Sequence, residues 1–350
     1  MQALHIYAGP VARQHLLNHG LQATDVGTIP GAAGGPKGLI LGALDRFIFG
    51  KWLPQSQQPV DLVGASIGAW RMATACLNDP VQALRRLEHD YIHQHYELAA
   101  GQKRPSAQFV SEEFGKNLKA FYGGRVHEVL QHPRYRLHVV TSRGRHLLAR
   151  EQALRTPLGY LGAFLTNTVH RRAMGAWLER VVFSSAASDG PHAPPLSGSL
   201  PPKGALAPWD GPAALGSGPH ASSLCAPLPF ATGDYRTRQV LLSPENFDDA
   251  LQASCSIPFV LKAVHNIAGA PPGAYWDGGI TDYHLHLNYP AAAKNAMNSV
   301  AAHAASTGAT GLFSINSEGK QHPALVLYPP LSKGGGTGLA GQKPALAPPR

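Results

Sequence analysis

Short apolar runs alternate with stretches of helical spacing along most of this 350-residue chain. In residues 80–99, for example, Val81, Leu84 and Leu87 share one face of a helix. Strands are predicted at residues 3–8, 25–29, 60–63, 136–141, 180–183, 238–242 and 273–279. Helices are predicted at residues 10–18, 39–49, 69–77, 80–99, 106–122, 125–130, 159–177 and 244–254, the last capped by Ser243. This alternation predicts a three-layer α/β/α fold with a mainly parallel central sheet.

Two segments interrupt the alternation and lack a steady apolar period. Residues 187–230 hold ten of the chain's 30 prolines, together with many Gly, Ser and Ala residues. After residue 290 the composition is again rich in Ala, Gly, Ser and Pro, and only residues 324–328 resemble a strand. Such composition is typical of segments that bury little apolar surface. We therefore predict one domain over residues 1–290, interrupted by an unstructured insertion at about 187–230, and a disordered tail over residues 291–350.

Charge and cysteine content narrow the choice of partners and compartment. The net charge of +9 suits anionic partners such as phosphate-bearing lipids. The basic residues are scattered singly or in pairs, as at Arg85-Arg86, which argues against a nucleic-acid partner. Three widely separated cysteines provide neither a disulfide framework nor a zinc motif. Because no leader sequence and no apolar run of ~18 residues is present, we expect a cytoplasmic protein that visits membrane surfaces transiently. No pattern in the chain indicates an oligomeric state.

The pentapeptide Gly64-Ala65-Ser66-Ile67-Gly68 lies between a predicted strand and a predicted helix. In that context a G-x-S-x-G sequence forms a nucleophile elbow, a sharp turn that holds a serine in a strained conformation. Gly64 and Gly68 would let the strand and the helix approach closely. The Ser66 hydroxyl would then lie at a helix N-terminus, where free N–H groups favour developing negative charge.

A glycine-rich loop at residues 31–38 separates another strand and helix. It is not a P-loop, because the residue after Lys37 is Gly38 rather than Ser or Thr. It is not a dinucleotide-binding loop either, since G-x-G-x-x-G occurs only at residues 336–341, with no strand before it. An oxyanion hole requires only two or so converging N–H donors near a nucleophile. The loop therefore fits an oxyanion hole best, beside the alternative of a flexible loop without chemistry.

Asp277 follows a short apolar strand and precedes Gly278 and Gly279. Together with Ser66 and the glycine loop, it lies at the C-terminal end of a predicted strand, where α/β sheets bind their ligands. A poorly solvated aspartate beside Ser66 could take the hydroxyl proton directly, which would make a Ser-Asp dyad without histidine. The alternative is an ordinary Asp-Gly turn between strands.

Four motifs in fixed order resemble the patatin-like phospholipase family: G-G-P-K-G at 34–38, G-A-S-I-G at 64–68, A-S-C-S-I-P at 253–258 and D-G-G at 277–279. The resemblance covers residues 4–185 and 235–290 and implies a patatin-like fold. It also implies a serine acyl hydrolase of the phospholipase A or lysophospholipase type, acting on lipid or other esters without a metal or cofactor.

By this resemblance Ser66 is the nucleophile and Asp277 is the base. The amides of Gly34 and Gly35 form the oxyanion hole, and Lys37 occupies the loop's basic position, where it steadies the loop or meets a lipid phosphate. The loop departs from the family pattern in two places: Ala33 stands where many members have a first glycine, and Pro36 has no N–H to donate.

Other interpretations compete with the dyad. Asp282, His284 and His286 are spaced as a metal pair on one strand face would be, although a solvated face is favoured because no third ligand is evident. His284 or His286 could instead complete a Ser-Asp-His triad of an α/β-hydrolase. The chain could also be a non-catalytic lipid- or partner-binding protein, or an acyltransferase that uses the same residues.

Overall fold

The computed structural model describes residues 10–96, 104–152, 154–169, 171–187 and 224–289, together with short strands at 313–315 and 321–323. The predicted strand at 3–8 lies outside the described residues. So do most of the predicted insertion and most of the predicted tail, including residues 324–328.

Seven strands form the central sheet. They are β1 (Thr28–Gly31), β2 (Val60–Ala65), β3 (Tyr135–Gly144), β4 (Leu178–Ser184), β5 (Thr237–Leu241), β6 (Val264–His265) and β7 (Ala274–Asp277). Parallel ladders join β1 to β2, β2 to β3 and β4 to β5. Antiparallel ladders join β3 to β4, β3 to β7 and β6 to β7. A separate antiparallel pair is formed by β8 (Phe313–Ile315) and β9 (Gln321–Pro323).

Helices flank the central sheet, which confirms the predicted α/β fold class. They are α1 (Pro10–His19), α2 (Gly42–Phe47), α3 (Ile67–Ala75), α4 (Pro80–Ile92), α5 (Ala107–Tyr122), α6 (Val126–Leu130), α7 (Arg155–Val169), α8 (Phe247–Ser254) and α9 (Gly279–Asp282). None of the helices in the described ranges combines the length and the apolar character that crossing a bilayer requires.

The main core lies on one face of the sheet. Alternate strand residues such as Leu62, Leu137 and Val181 pack there against α3, α4, α5 and α8. The intervening residues belong to a smaller cluster on the opposite face, as the period of two in a strand requires. Both faces of β2 and β4 are thereby buried along their whole length, as in a sheet that is covered on both faces.

Residues 224–230 belong to the packed part of the fold, although the sequence analysis assigned them to the unstructured insertion. Cys225 forms a β-bridge with Ala186, and the Ala226 amide donates to the Ser185 carbonyl at 2.9 Å. Phe230 is buried in the smaller cluster, where its ring meets that of Tyr289 edge to face. The predicted boundary at residue 230 is therefore wrong, because residues 224–230 pack against the fold.

Several predicted boundaries were also wrong. The predicted strand at 25–29 begins at Thr28, because a 3-10 turn at Ala23–Asp25 precedes it. The predicted helix at 159–177 begins at Arg155 and ends at Val169. Ser243 does not cap α8: its amide donates to the Asn246 carboxamide oxygen at 2.9 Å, which closes a turn before the helix begins. Before β1 and before α8, a local turn or side-chain interaction thus outweighed the apolar period.

Candidate active site

Ser66 lies in the sharp turn between β2 and α3, as predicted. Its backbone has φ +56° and ψ −131°, a region that residues other than glycine rarely occupy. A Cβ at Gly68 would overlap the Gly31 carbonyl oxygen, and a Cβ at Gly64 would overlap the backbone of α3. Both glycines are therefore required for the close approach of β1, β2 and α3 that holds Ser66 in place.

Strand β3 brings Ser66 and Asp277 together. The end of β2 pairs with β3 through Ala65 and Val140, and β7 pairs with the next β3 residue through Asp277 and Thr141. The two strands therefore meet end to end along the same edge of β3. This register leaves the Ser66 hydroxyl within reach of the Asp277 carboxylate.

The Asp277 carboxylate is buried and has few partners. Its side chain is 5% exposed, and its Oδ1 accepts a hydrogen bond from the Gly279 amide at 2.6 Å. Within the described residues, Oδ2 is buried without a well-formed hydrogen bond. Burial raises the pKa of Asp277 to about 6, although the Ser66 hydroxyl and the Gly279 amide oppose this rise. Such a carboxylate is ionised at neutral pH and basic enough to accept a proton.

The glycine-rich loop adjoins both residues. The Ala33 amide donates to the Tyr283 carbonyl at 2.9 Å, and a Cβ at Gly279 would lie only 2.7 Å from the Ala33 Cβ. Gly278 is equally restricted, because a Cβ there would overlap the Val140 carbonyl oxygen. The two glycines after Asp277 thus allow the acidic turn to pack between the loop and the elbow.

Two amides of the loop remain available as donors. Gly34 and Gly35 have φ +154° and +54°, and neither amide donates to an acceptor in the described part of the chain. The Lys37 amide instead donates to the Gly34 carbonyl at 3.3 Å, while its side chain is exposed. Within the described residues, the Gly34 and Gly35 amides therefore remain without an acceptor, whereas the Lys37 amide closes the turn.

Two serines in the segment A-S-C-S-I-P position the site, and the sequence analysis assigned them no role. The Ser254 hydroxyl accepts from the Ser66 amide at 2.9 Å and donates to the Val140 carbonyl at 2.7 Å. The carbonyl of Ser256 accepts from the Asp277 amide at 2.9 Å. One segment therefore holds the backbones of both Ser66 and Asp277. The motif itself was visible in the sequence, but its hydrogen bonds were not.

A family model, patatin-like phospholipase, matches residues 32–291. The chain belongs to the patatin-like phospholipase family. No significant match was found among curated proteins or among solved structures. The matched range contains every predicted site residue and accounts for well over half of the chain. Membership places this patatin-like protein among lipid acyl hydrolases, whose substrates are lipids or other esters.

In this patatin-like domain Asp282 forms an ion pair, whereas the sequence had raised the possibility of a metal ligand. It is buried and receives Nε and Nη2 of Arg180 at 2.6 and 2.7 Å, so an ion pair already occupies its oxygens. His284 and His286 are exposed, with rings 5.5 Å apart, and they lie outside any strand. Within the described ranges, no cluster of three or more potential metal ligands is present.

Proposed function

We propose that this patatin-like protein is a serine acyl hydrolase that cleaves carboxylic ester bonds of lipids through a Ser66–Asp277 dyad. One observation carries the proposal: the register of β3 aligns the strained serine with a buried carboxylate of raised pKa. Perturbed titration beside a strained nucleophile is typical of active sites. Among the described residues, no histidine is one of the groups that shift the pKa of Asp277, which favours the dyad over a triad.

The reaction proceeds by two acyl transfers. Asp277 takes the proton from the Ser66 hydroxyl as the serine oxygen attacks the ester carbonyl. The carbonyl oxygen becomes an oxyanion, which the Gly34 and Gly35 amides and the N-terminus of α3 stabilise. The carbon–oxygen bond of the ester then breaks, and the leaving alcohol takes the proton from Asp277. Water, activated by Asp277 in the same way, releases the acid and restores Ser66.

The test is hydrolysis of p-nitrophenyl esters by the wild type and by Ser66→Ala. Loss of a catalytic nucleophile is expected to lower kcat by about 10⁴-fold or more, with an unchanged circular dichroism spectrum. Ser56→Ala is a matched control, because Ser56 is also a buried serine but lies outside the site; it should keep full turnover.

Labelling with a fluorophosphonate separates the enzyme from a non-catalytic lipid-binding protein. We expect the wild type and Ser56→Ala to be labelled and Ser66→Ala to remain unlabelled. A wild type that neither hydrolyses esters nor reacts with the probe would overturn the proposal. Equal turnover in the wild type and Ser66→Ala would show that another residue is the nucleophile.

A further inference from the structure

Large apolar side chains are exposed along the outward side of α7. Leu154, just before the helix, and Leu158, Leu161 and Leu165 follow one another at intervals of four, three and four residues, which is one stripe of a helix. All four are more than half exposed, as is Phe164 beside them. We term these five residues the α7 face. A surface helix normally presents polar residues on this side.

The residues on the inward side of α7 explain why its large apolar side chains are exposed. A Cβ at Gly159 would lie 2.6 Å from Leu148, and a Cβ at Gly162 would lie 2.7 Å from the Trp177 ring. Ala163 is also buried on this side. Small residues therefore bring the helix close to the body of the protein, and its large side chains lie outside. Within the part of the chain that the structure describes, the α7 face is thus an exposed apolar surface and not the inner side of an incomplete core.

The α7 face connects directly to the candidate active site. The half-buried ring of Tyr160 lies 5.8 Å from the ring of Trp276, the residue before Asp277, and 5.9 Å from the ring of Phe259. Phe259 is exposed, with φ +67°, a conformation that is an outlier for a bulky side chain. The exposed apolar residues of this segment, here termed the rim, are Ile257, Phe259 and Val260.

Positive charge borders the α7 face. Residues 143–178 contain six arginines and a single acidic residue, Glu151. That glutamate is engaged by Lys262, whose Nζ lies 3.2 Å away, whereas Arg150 and Arg155 are exposed at the N-terminal end of the helix. An apolar face with basic residues at its border matches a bilayer with anionic head groups.

We propose that the α7 face and the rim dock this protein onto an anionic lipid bilayer. Docking would set the active site against the surface that holds its substrate, and in this respect the inference rests on the proposed function. A second copy of the chain fits this face less well. In a two-fold dimer the partner would present this same stretch. Its single acidic residue, Glu151, is already engaged by Lys262, so Arg150 and Arg155 would gain no carboxylate from the partner's residues 143–178.

The test is co-sedimentation of the full-length Ser66→Ala chain with phosphatidylcholine vesicles that contain phosphatidylglycerol, so that binding is measured without hydrolysis. The variant Leu158→Gln/Leu161→Gln/Leu165→Gln keeps the helix and removes three apolar side chains. We expect it to partition about tenfold or more weakly. Leu17→Gln/Ile92→Gln is the matched control, because both residues are exposed apolar side chains on other helices; it should bind as strongly as its parent.

Further measurements distinguish bilayer docking from dimer formation and from loss of catalysis. In the active background, the triple variant should hydrolyse a soluble p-nitrophenyl ester normally and lose activity only on lipid in vesicles. Equal vesicle binding by the parent and the triple variant would overturn the docking surface. The docking surface would also be overturned if the parent bound no vesicles and formed a dimer, and if the triple variant were a monomer. If the wild type cleaves no ester and yet the α7 face binds vesicles, the proposed function fails while the docking surface stands.

Discussion

The two ends of the short helix α9 carry aspartates in opposite situations. Asp277 precedes the helix and Asp282 ends it, and each is only 5% exposed. Asp282 forms a two-pronged ion pair with the buried Arg180. Among the described residues, no cation pairs with Asp277, whose hydrogen-bond donors are the Gly279 amide and the Ser66 hydroxyl.

This difference separates a charge-paired aspartate from an aspartate with a raised pKa. The charge of a buried carboxylate that pairs with an arginine is balanced by the guanidinium, and removal of the carboxylate leaves the arginine charge uncompensated. A buried carboxylate without a cation instead has a raised pKa, so it binds protons more readily. Equal burial thus accompanies an ion pair at Asp282 and, in the proposed mechanism, a base at Asp277.

Asp277→Asn should abolish activity without weakening the fold. We expect kcat to fall by about 10⁴-fold, because the base is lost. The folded-state pKa of about 6 exceeds the ordinary value of 3.8, so ionisation of Asp277 destabilises the protein above pH 6 and has no such effect below the lower value. At pH 8 the free energy of unfolding should therefore rise by up to about 3 kcal/mol, as measured by urea unfolding.

The gain in stability should disappear at acidic pH, where the wild-type carboxyl is protonated in both states. An Asn variant that is less stable than the wild type at pH 8 would contradict a desolvated Asp277. A variant that keeps wild-type turnover would contradict its role as a base.

Asp282→Asn should have the reverse profile. It leaves Arg180 buried with only Asp234, which is 43% exposed, and the free energy of unfolding should fall by about 3–5 kcal/mol. Folded protein should retain most of its turnover. Asp234→Asn is the control and should cost about 1 kcal/mol or less, because that carboxylate faces solvent.

If Asp282→Asn does not fold, the double variant Arg180→Met/Asp282→Leu provides a second measurement. Apolar side chains of similar volume remove both charges together and should recover most of the lost stability. Stability equal to that of the wild type in Asp282→Asn would mean that the pair has no structural role.

Ser254→Ala tests whether the hydrogen bond to the Ser66 amide maintains the elbow. Two buried backbone groups would lose their partner, which should cost about 1–3 kcal/mol of stability and about 10- to 100-fold in kcat, with KM little changed. Ser256→Ala is the matched control: its hydroxyl donates only to the Gln252 carbonyl, so both effects should be smaller. Equal loss in the two variants would point to a general packing defect.

The smallest effect requires no substitution. Because only the ionised form of Asp277 can accept a proton, kcat/KM should fall by about tenfold between pH 7 and pH 5. The profile should have its midpoint near the pKa of about 6. A midpoint near pH 4 would indicate a solvated Asp277 carboxylate. If the acidic fall in kcat/KM disappeared in Asp282→Asn, the titrating group would be Asp282 rather than Asp277.

Much of the site could be predicted because its motifs are local. The elbow at Ser66 and the glycine pair at Gly34 and Gly35 require particular backbone angles that few residues adopt, so their sequences are distinctive. Longer-range features were missed or misplaced. Ser254 was seen only as part of a motif, and Phe230 was assigned to an insertion although it is buried, because proline-rich composition says nothing about what a segment packs against.

The sequence by itself determined the α/β alternation and the positions of Ser66 and Asp277 at the ends of strands, whereas the catalytic roles of these residues stay a prediction. Only the tertiary structure decided that β2 and β7 share one edge of β3. It also decided that Arg180 pairs with Asp282 rather than with Asp277, and that the leucines of α7 are exposed. The reason is physical: backbone angles and apolar periods depend on neighbours in the chain, whereas register, desolvation and charge pairing depend on segments that are distant in sequence and meet only when the sheet assembles.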